Sequence, residues 1–93
     1  MALLAKAFDH PARVAILEYL LSKKSCITND LVHELPLSQS TISQHLKELK
    51  QIGIIKGEVE GPKLSYCIDE QVWEEARAIF MNIFAKFTPK DCC

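Results

Sequence analysis

The sequence has no apolar run near the ~20 residues that a helix needs to cross a bilayer, which argues against a membrane protein. Its first residues, Met-Ala-Leu-Leu-Ala-Lys-Ala-Phe-Asp, are interrupted by Lys6 and Asp9 too early for the apolar centre of a signal peptide. There is no internal repeat, no low-complexity segment, no glycine-rich phosphate loop and no paired-carboxylate site. Nor is there an excess of one charge: the net value of −1 makes no global case for or against nucleic acid. What remains is ordinary globular composition, 48% hydrophobic and 25% charged, which argues against disorder and for a small packed core. The expectation is one small domain over residues 1–93, soluble and cytoplasmic, with a tail after Thr88-Pro89 that is loose. A core this small gains from a second chain.

The four cysteines, Cys26, Cys67, Cys92 and Cys93, sit in a chain without a secretory signal. They read as free thiols, metal ligands or redox groups rather than a disulfide framework. Catalysis is disfavoured, because a cysteine nucleophile needs a base and no histidine is placed against Cys26 or Cys92.

Apolar spacing predicts a short helix over residues 2 to 8. Asp9-His10-Pro11 then breaks the chain and starts a second helix, with proline suited to its first turn. Val14, Ile16, Leu17, Leu20 and Leu21 form its stripe. Lys23-Lys24-Ser25 is a polar connector. Thr28 can cap a third helix, with Asn29 and Asp30 in its first turn and Leu31, Val32 and Leu35 inward. Pro36 ends it. Ser38 caps a fourth helix that runs to about Gln51, and Gly53 stops it.

A hairpin follows: Ile54 to Glu60 alternates, Gly61-Pro62 turns, and Lys63 to Ile68 returns with Leu64, Tyr66 and Ile68 on one face. Asp69 caps a last helix over residues 70 to 86. The fold class is mainly α with a small β-hairpin. Helix, tight turn and helix followed by a hairpin is a winged helix-turn-helix.

On the fourth helix, Ile42, Leu46 and Leu49 fix the buried side. Ser40, Gln44, Lys47 and Gln51 fall opposite, flanked by Thr41 and Ser43. Glutamine can bond adenine at two atoms, and serine or threonine can bond any base edge or a phosphate. A face of this composition on a helix behind a tight turn suits the major groove. The surplus apolar residues at both chain ends, Leu3, Leu4 and Phe8 with Trp73, Phe80 and Phe84, point to a dimer interface.

The segment Pro36 to Leu49 (Pro-Leu-Ser-Gln-Ser-Thr-Ile-Ser-Gln-His-Leu-Lys-Glu-Leu), followed by Gly53-Ile54-Ile55, resembles the recognition segment of the ArsR/SmtB-type repressors. Ala7 to Leu17 resembles that family's second-helix signature, and Gly57 to Tyr66 fits its wing. The resemblance implies a winged-helix homodimer, paired through its first and last helices, that binds a palindromic operator in double-stranded DNA until an effector releases it. By position it implies that Gln39, Ser40, Thr41, Ser43 and Gln44 contact bases and phosphates, and that Lys63 is the wing's contact. Lys47 adds charge on the same face.

In the arsenic-sensing branch a cysteine pair opens the third helix. Here Cys26 stands alone, with Thr28 where a second could be. Cys92 and Cys93 could complete a set of thiolates for trivalent arsenic or antimony, or for a soft metal; the alternatives are oxidation or persulfide formation at these thiols, or no ligand there. The last helix has no histidine, which disfavours a zinc or nickel site there. Cys67, in a wing strand, reads as a small buried hydrophobe. The rival reading is a winged helix that binds another protein, supported by the near-neutral charge and the acidic wing residues Glu58 and Glu60.

Overall fold

The computed structural model describes residues 2–28, 31 and 34–90. Helix α1 (Ala2–Ala5) tightens into a 3-10 turn (Lys6–Phe8), so the expected first helix is two short pieces. Helix α2 (Pro11–Leu21) starts at the N-cap His10, whose Nδ1 accepts from the Ala12 N–H at 2.9 Å. The recognition helix α3 (Gln39–Ile52) starts at Ser38, whose hydroxyl accepts from the Thr41 N–H at 3.3 Å. Such a cap stabilises a helix by about 1 kcal/mol. It ends at Gly53, held at φ 97°, where a side chain would strain the backbone.

Strands β1 (Ile55–Glu58) and β2 (Ser65–Ile68) form the antiparallel wing, with Ile55 opposite Ile68 and Glu58 opposite Ser65. Gly57 sits at φ 104°, and a Cβ there would lie 2.0 Å from the Ser65 carbonyl oxygen, so only glycine lets the two strands approach. Helix α4 (Glu70–Ala85) is capped by Asp69, whose carboxylate accepts from the Val72 N–H at 3.1 Å.

The third helix is seen only in part. Leu31 is fully buried, and its carbonyl accepts from the N–H groups of Glu34 and Leu35 at 2.9 and 3.0 Å, one helical turn. Asn29, Asp30, Val32 and His33 lie outside the described residues.

The core gathers Ile16, Leu17 and Leu20 from α2, Ile42, Leu46 and Leu49 from α3, and Ile54, Ile55, Val59 and Tyr66 from the wing. The stripe on α2 is rotated from the sequence expectation: Arg13 is buried, while Leu21 is 49% exposed. Helix α4 gives the core only one fully buried residue, Ala76. The outer part of this helix therefore projects from a molecule 56 Å long and 26 × 22 Å across.

Candidate nucleic-acid interface

The amphipathic spacing of α3 works as the sequence implies. With Ile42, Leu46 and Leu49 buried, the side chains of Gln39, Ser40, Gln44, Lys47 and Gln51 are exposed. Thr41 and Ser43 are half-buried at the edge of this face. The hydroxyl of Ser38 donates to Thr41 Oγ1 at 2.9 Å and lies 3.3 Å from Ser40 Oγ. The first turn of α3 thus presents linked hydroxyls beside its unpaired backbone N–H groups, an arrangement that suits a phosphate.

Gln44 Nε2 donates to Glu48 Oε1 at 2.8 Å, one helical turn on. Glu48 in turn forms an ion pair with Arg13 of α2. Arg13 also donates from Nε to His45 Nδ1 at 3.2 Å and from NH1 to the Lys6 carbonyl at 2.7 Å, and lies 3.4 Å from Asp9. One nearly buried guanidinium therefore ties the N-terminal turn and α2 to the far half of the recognition helix. Sequence reasoning missed Arg13; the signal was a single cation within an apolar stripe, opposite Glu48 on a neighbouring helix. The His45 ring packs on His10 with centroids 4.8 Å apart. Burial, then the neighbouring His10 and Arg13, hold the His45 imidazole below its ordinary value of 6.5.

The wing lies against this face. Lys47 of α3 and Glu60 of the wing form an ion pair at 3.3 Å. A cleft of about 560 Å³ between helix and wing is lined by Gln44, Lys47, Glu48, Lys50, Glu58 and Glu60 among others. Three carboxylates face two ammonium groups there, so the cleft as a whole does not attract phosphate. Lys63, just past the Gly61-Pro62 tip, is exposed. Ser43 and Gln39 line a smaller recess with Glu60 and Gly61, so the helix start and the wing tip share one side of the molecule.

The residues named for dimerisation divide. Phe8 packs within the same chain against Trp73, tilted, and Phe80, edge-on, at centroid distances of 5.9 and 6.0 Å. Leu4, Trp73 and Phe80 are half-buried. Leu3 is 57% exposed and Phe84 69%, and Met81, Ile83 and Phe87 are exposed toward the end of α4.

For the thiols, the structure brings together a pair that the sequence did not suggest. Cys26 Sγ and Cys67 Sγ share a hydrogen bond at 2.8 Å, in which either thiol can donate. Cys67 is half-buried and partnered, where a buried hydrophobe was expected. Cys92 and Cys93 lie outside the described residues. Among the described residues no group of three or more His, Cys, Asp or Glu could hold a metal ion. The two described sulfurs have the chemistry for a soft, thiophilic ion but are too few for a closed four-ligand site.

The family model for "Bacterial regulatory protein, arsR family" matches residues 10–56, from the cap of α2 through the recognition helix into β1. An uncharacterized HTH-type transcriptional regulator of Methanocaldococcus jannaschii is 40% identical over 70 residues, 74% of this chain and 79% of that protein. The HTH-type transcriptional repressor SmtB of Mycobacterium tuberculosis is 38% identical over 63 residues, 68% of this chain and 46% of that protein, so this chain spans under half of that repressor's length. Among solved structures, the cadmium metal-sensor CMTR from Mycobacterium tuberculosis superposes with a TM-score of 0.60 at 28% identity, over 99% of this chain and 95% of that one.

Proposed function

Because this chain belongs to the ArsR family of bacterial regulatory proteins, and is therefore a DNA-binding transcriptional regulator rather than an enzyme, we propose that it acts in the cytoplasm as a homodimeric operon repressor that reads a palindromic operator through the outer face of α3. The observation that carries this is the exposed row Ser40, Gln44 and Lys47, joined to the wing through the ion pair of Lys47 with Glu60. Gln44 is the base reader: it gives up its bond to Glu48 and takes an adenine edge. Gln39, Ser40, Thr41 and Ser43, at the start of the helix, hold phosphates and neighbouring base edges. Lys47 and Lys63 supply charge.

The dimer reading rests on the projecting end of α4. Phe84 and Phe87 at that end, and Leu3 in α1, are large apolar side chains left exposed in the single chain, the kind of surface that a partner covers. A two-fold pairing there sets the two recognition helices about 34–36 Å apart, one turn of DNA.

The effector is thiophilic. Cys26 precedes the segment that braces the recognition helix, and its thiolate, with those of Cys92 and Cys93, suits trivalent arsenic or antimony or a soft metal. The relation to a cadmium sensor supports the same ligand class. Ligation requires deprotonated sulfur, so affinity rises with pH. Arsenite is expected to release DNA from the parent but not from Cys26→Ser or from a chain ending at Asp91. Release from all three excludes these sulfurs.

DNA binding itself is tested by titrating a fluorescent duplex from the regulator's own promoter against a random duplex at low and physiological salt. A repressor separates the two by at least about a thousandfold. Equal affinity for both would refute operator recognition.

A further inference from the structure

Cys26 and Cys67 are 41 residues apart in sequence but are cross-strand neighbours. Ile27 and Tyr66 form an isolated antiparallel bridge, with Ile27 N–H to Tyr66 O at 2.8 Å and Tyr66 N–H to Ile27 O at 3.0 Å. Those two bonds make Ile27 and Tyr66 a hydrogen-bonded pair. The next position along the ladder, Cys26 opposite Cys67, is then the non-hydrogen-bonded kind, where Cα atoms come to about 4.5 Å and side chains lie closest. That separation falls within the range that a disulfide spans, and its S–S bond of about 2.05 Å is reached from 2.8 Å by small side-chain rotations. The bridge is anchored, because Tyr66 is fully buried and Ile27 nearly so.

The pair is also reachable. Cys26 is exposed, and both sulfurs line a cavity of about 540 Å³ whose wall includes Lys23, Lys24, Lys56 and Arg77 against Glu70 and Glu74. Four cations to two carboxylates favour a small anionic reagent there.

We propose that Cys26 and Cys67 are a reversible redox pair, oxidised to an intramolecular disulfide by a low-molecular-weight anionic disulfide, and that the oxidised form binds the operator more weakly. This rests on the DNA-binding reading for its second half only. In the first step the Cys26 thiolate attacks one sulfur of the reagent; its S–S bond breaks, and one small thiol leaves with a proton. In the second, the Cys67 thiolate attacks Cys26 Sγ, the mixed disulfide breaks, and a second small thiol leaves. Two protein thiols are oxidised and one reagent disulfide is reduced to two thiols.

The order of attack follows from the surroundings. With its S–H donated to Cys26, and then by burial, the Cys67 thiol is pushed up, so exposed Cys26 attacks first. Once Cys26 is capped, that hydrogen bond is gone and Cys67 ionises more readily. The finished bond pins the α2 to α3 connector to the wing's returning strand. The wing then loses freedom to follow the groove.

The test uses the full chain with Cys92 and Cys93 replaced by serine, incubated with glutathione disulfide and then alkylated. Expected is a mass 2 Da below that of the reduced, unalkylated chain, with no alkyl groups added, one tryptic species linking the Cys26 and Cys67 peptides, and full reversal by dithiothreitol. Cys26→Ser should give no bridge and leave Cys67 largely unmodified; Cys67→Ser should stop at the mixed disulfide on Cys26. Absence of the linked species under conditions that form the mixed disulfide on Cys26 would overturn the proposal. Operator affinity is then compared before and after oxidation. A loss of fivefold or more, absent in Cys26→Ser, supports the regulatory half; unchanged affinity of a fully bridged sample refutes it. If the reduced protein fails to bind DNA at all, it is the repressor reading that fails, since the mass measurement needs no DNA.

Discussion

Lys47 and Glu60 form an ion pair at 3.3 Å that joins the recognition helix to the wing. Both side chains are more than half exposed, so the pair adds little to stability. Its consequence is for binding: the cation best placed on the reading face is neutralised by a wing carboxylate that itself repels phosphate. Glu60→Gln is expected to tighten binding to operator and random DNA alike. Freeing one cation should steepen the dependence of log affinity on log salt by about one unit. Fluorescence anisotropy over a salt series measures both, and an unchanged slope would mean that Lys47 does not reach the backbone.

Lys63 should behave oppositely. It is exposed beside the wing tip and acts by charge rather than by base recognition. Lys63→Ala is expected to weaken binding to all sequences and to flatten the salt slope by about one unit. A loss confined to the operator would instead make it a base contact.

The apolar end of α4 gives a prediction about assembly. Phe84 is 69% exposed in the single chain, so Phe84→Glu costs the monomer fold little but sets a charge into the proposed interface. Sedimentation at micromolar concentration should show a dimer for the parent and a monomer for the variant. A parent that sediments as a monomer contradicts the dimer.

His45 couples stability to pH. Its imidazole accepts from Arg13 Nε, which only the neutral form can do, and its value in the folded chain lies below the ordinary 6.5. The unfolded chain therefore binds the proton better. The contribution is present above pH 6.5 and is lost as pH falls through that value toward the folded one. The melting temperature should drop between pH 7.5 and 5.5, and His45→Gln, which keeps an acceptor for Arg13, should reduce that drop. Equal drops in both proteins would remove His45 as the cause.

Local signals were legible in the sequence. Ser38 and Asp69 cap their helices, Gly53 ends α3, and Gly61-Pro62 turns the wing, because each depends on residues within a few positions. The outer face of α3 was legible for the same reason, through its period. What escaped were partners set by tertiary approach. Arg13 reaches Glu48 and His45 only when α2 crosses α3, and burying it rotates the α2 stripe so that Leu21 faces out. Cys26 meets Cys67 only through the register of the isolated Ile27–Tyr66 bridge, too short to leave a strand pattern. Phe8, expected at an interface between chains, first packs on its own Trp73 and Phe80.

The reading of DNA by the outer face of α3 is tested most directly at Gln44. Its side chain is exposed and its Nε2 donates to Glu48 along the helix, so Gln44→Ala should leave the fold and the affinity for random DNA intact. Binding to the operator, measured by anisotropy at fixed salt, should weaken by ~1–3 kcal/mol. An operator affinity equal to that of the parent would contradict the assignment of this face to the bases.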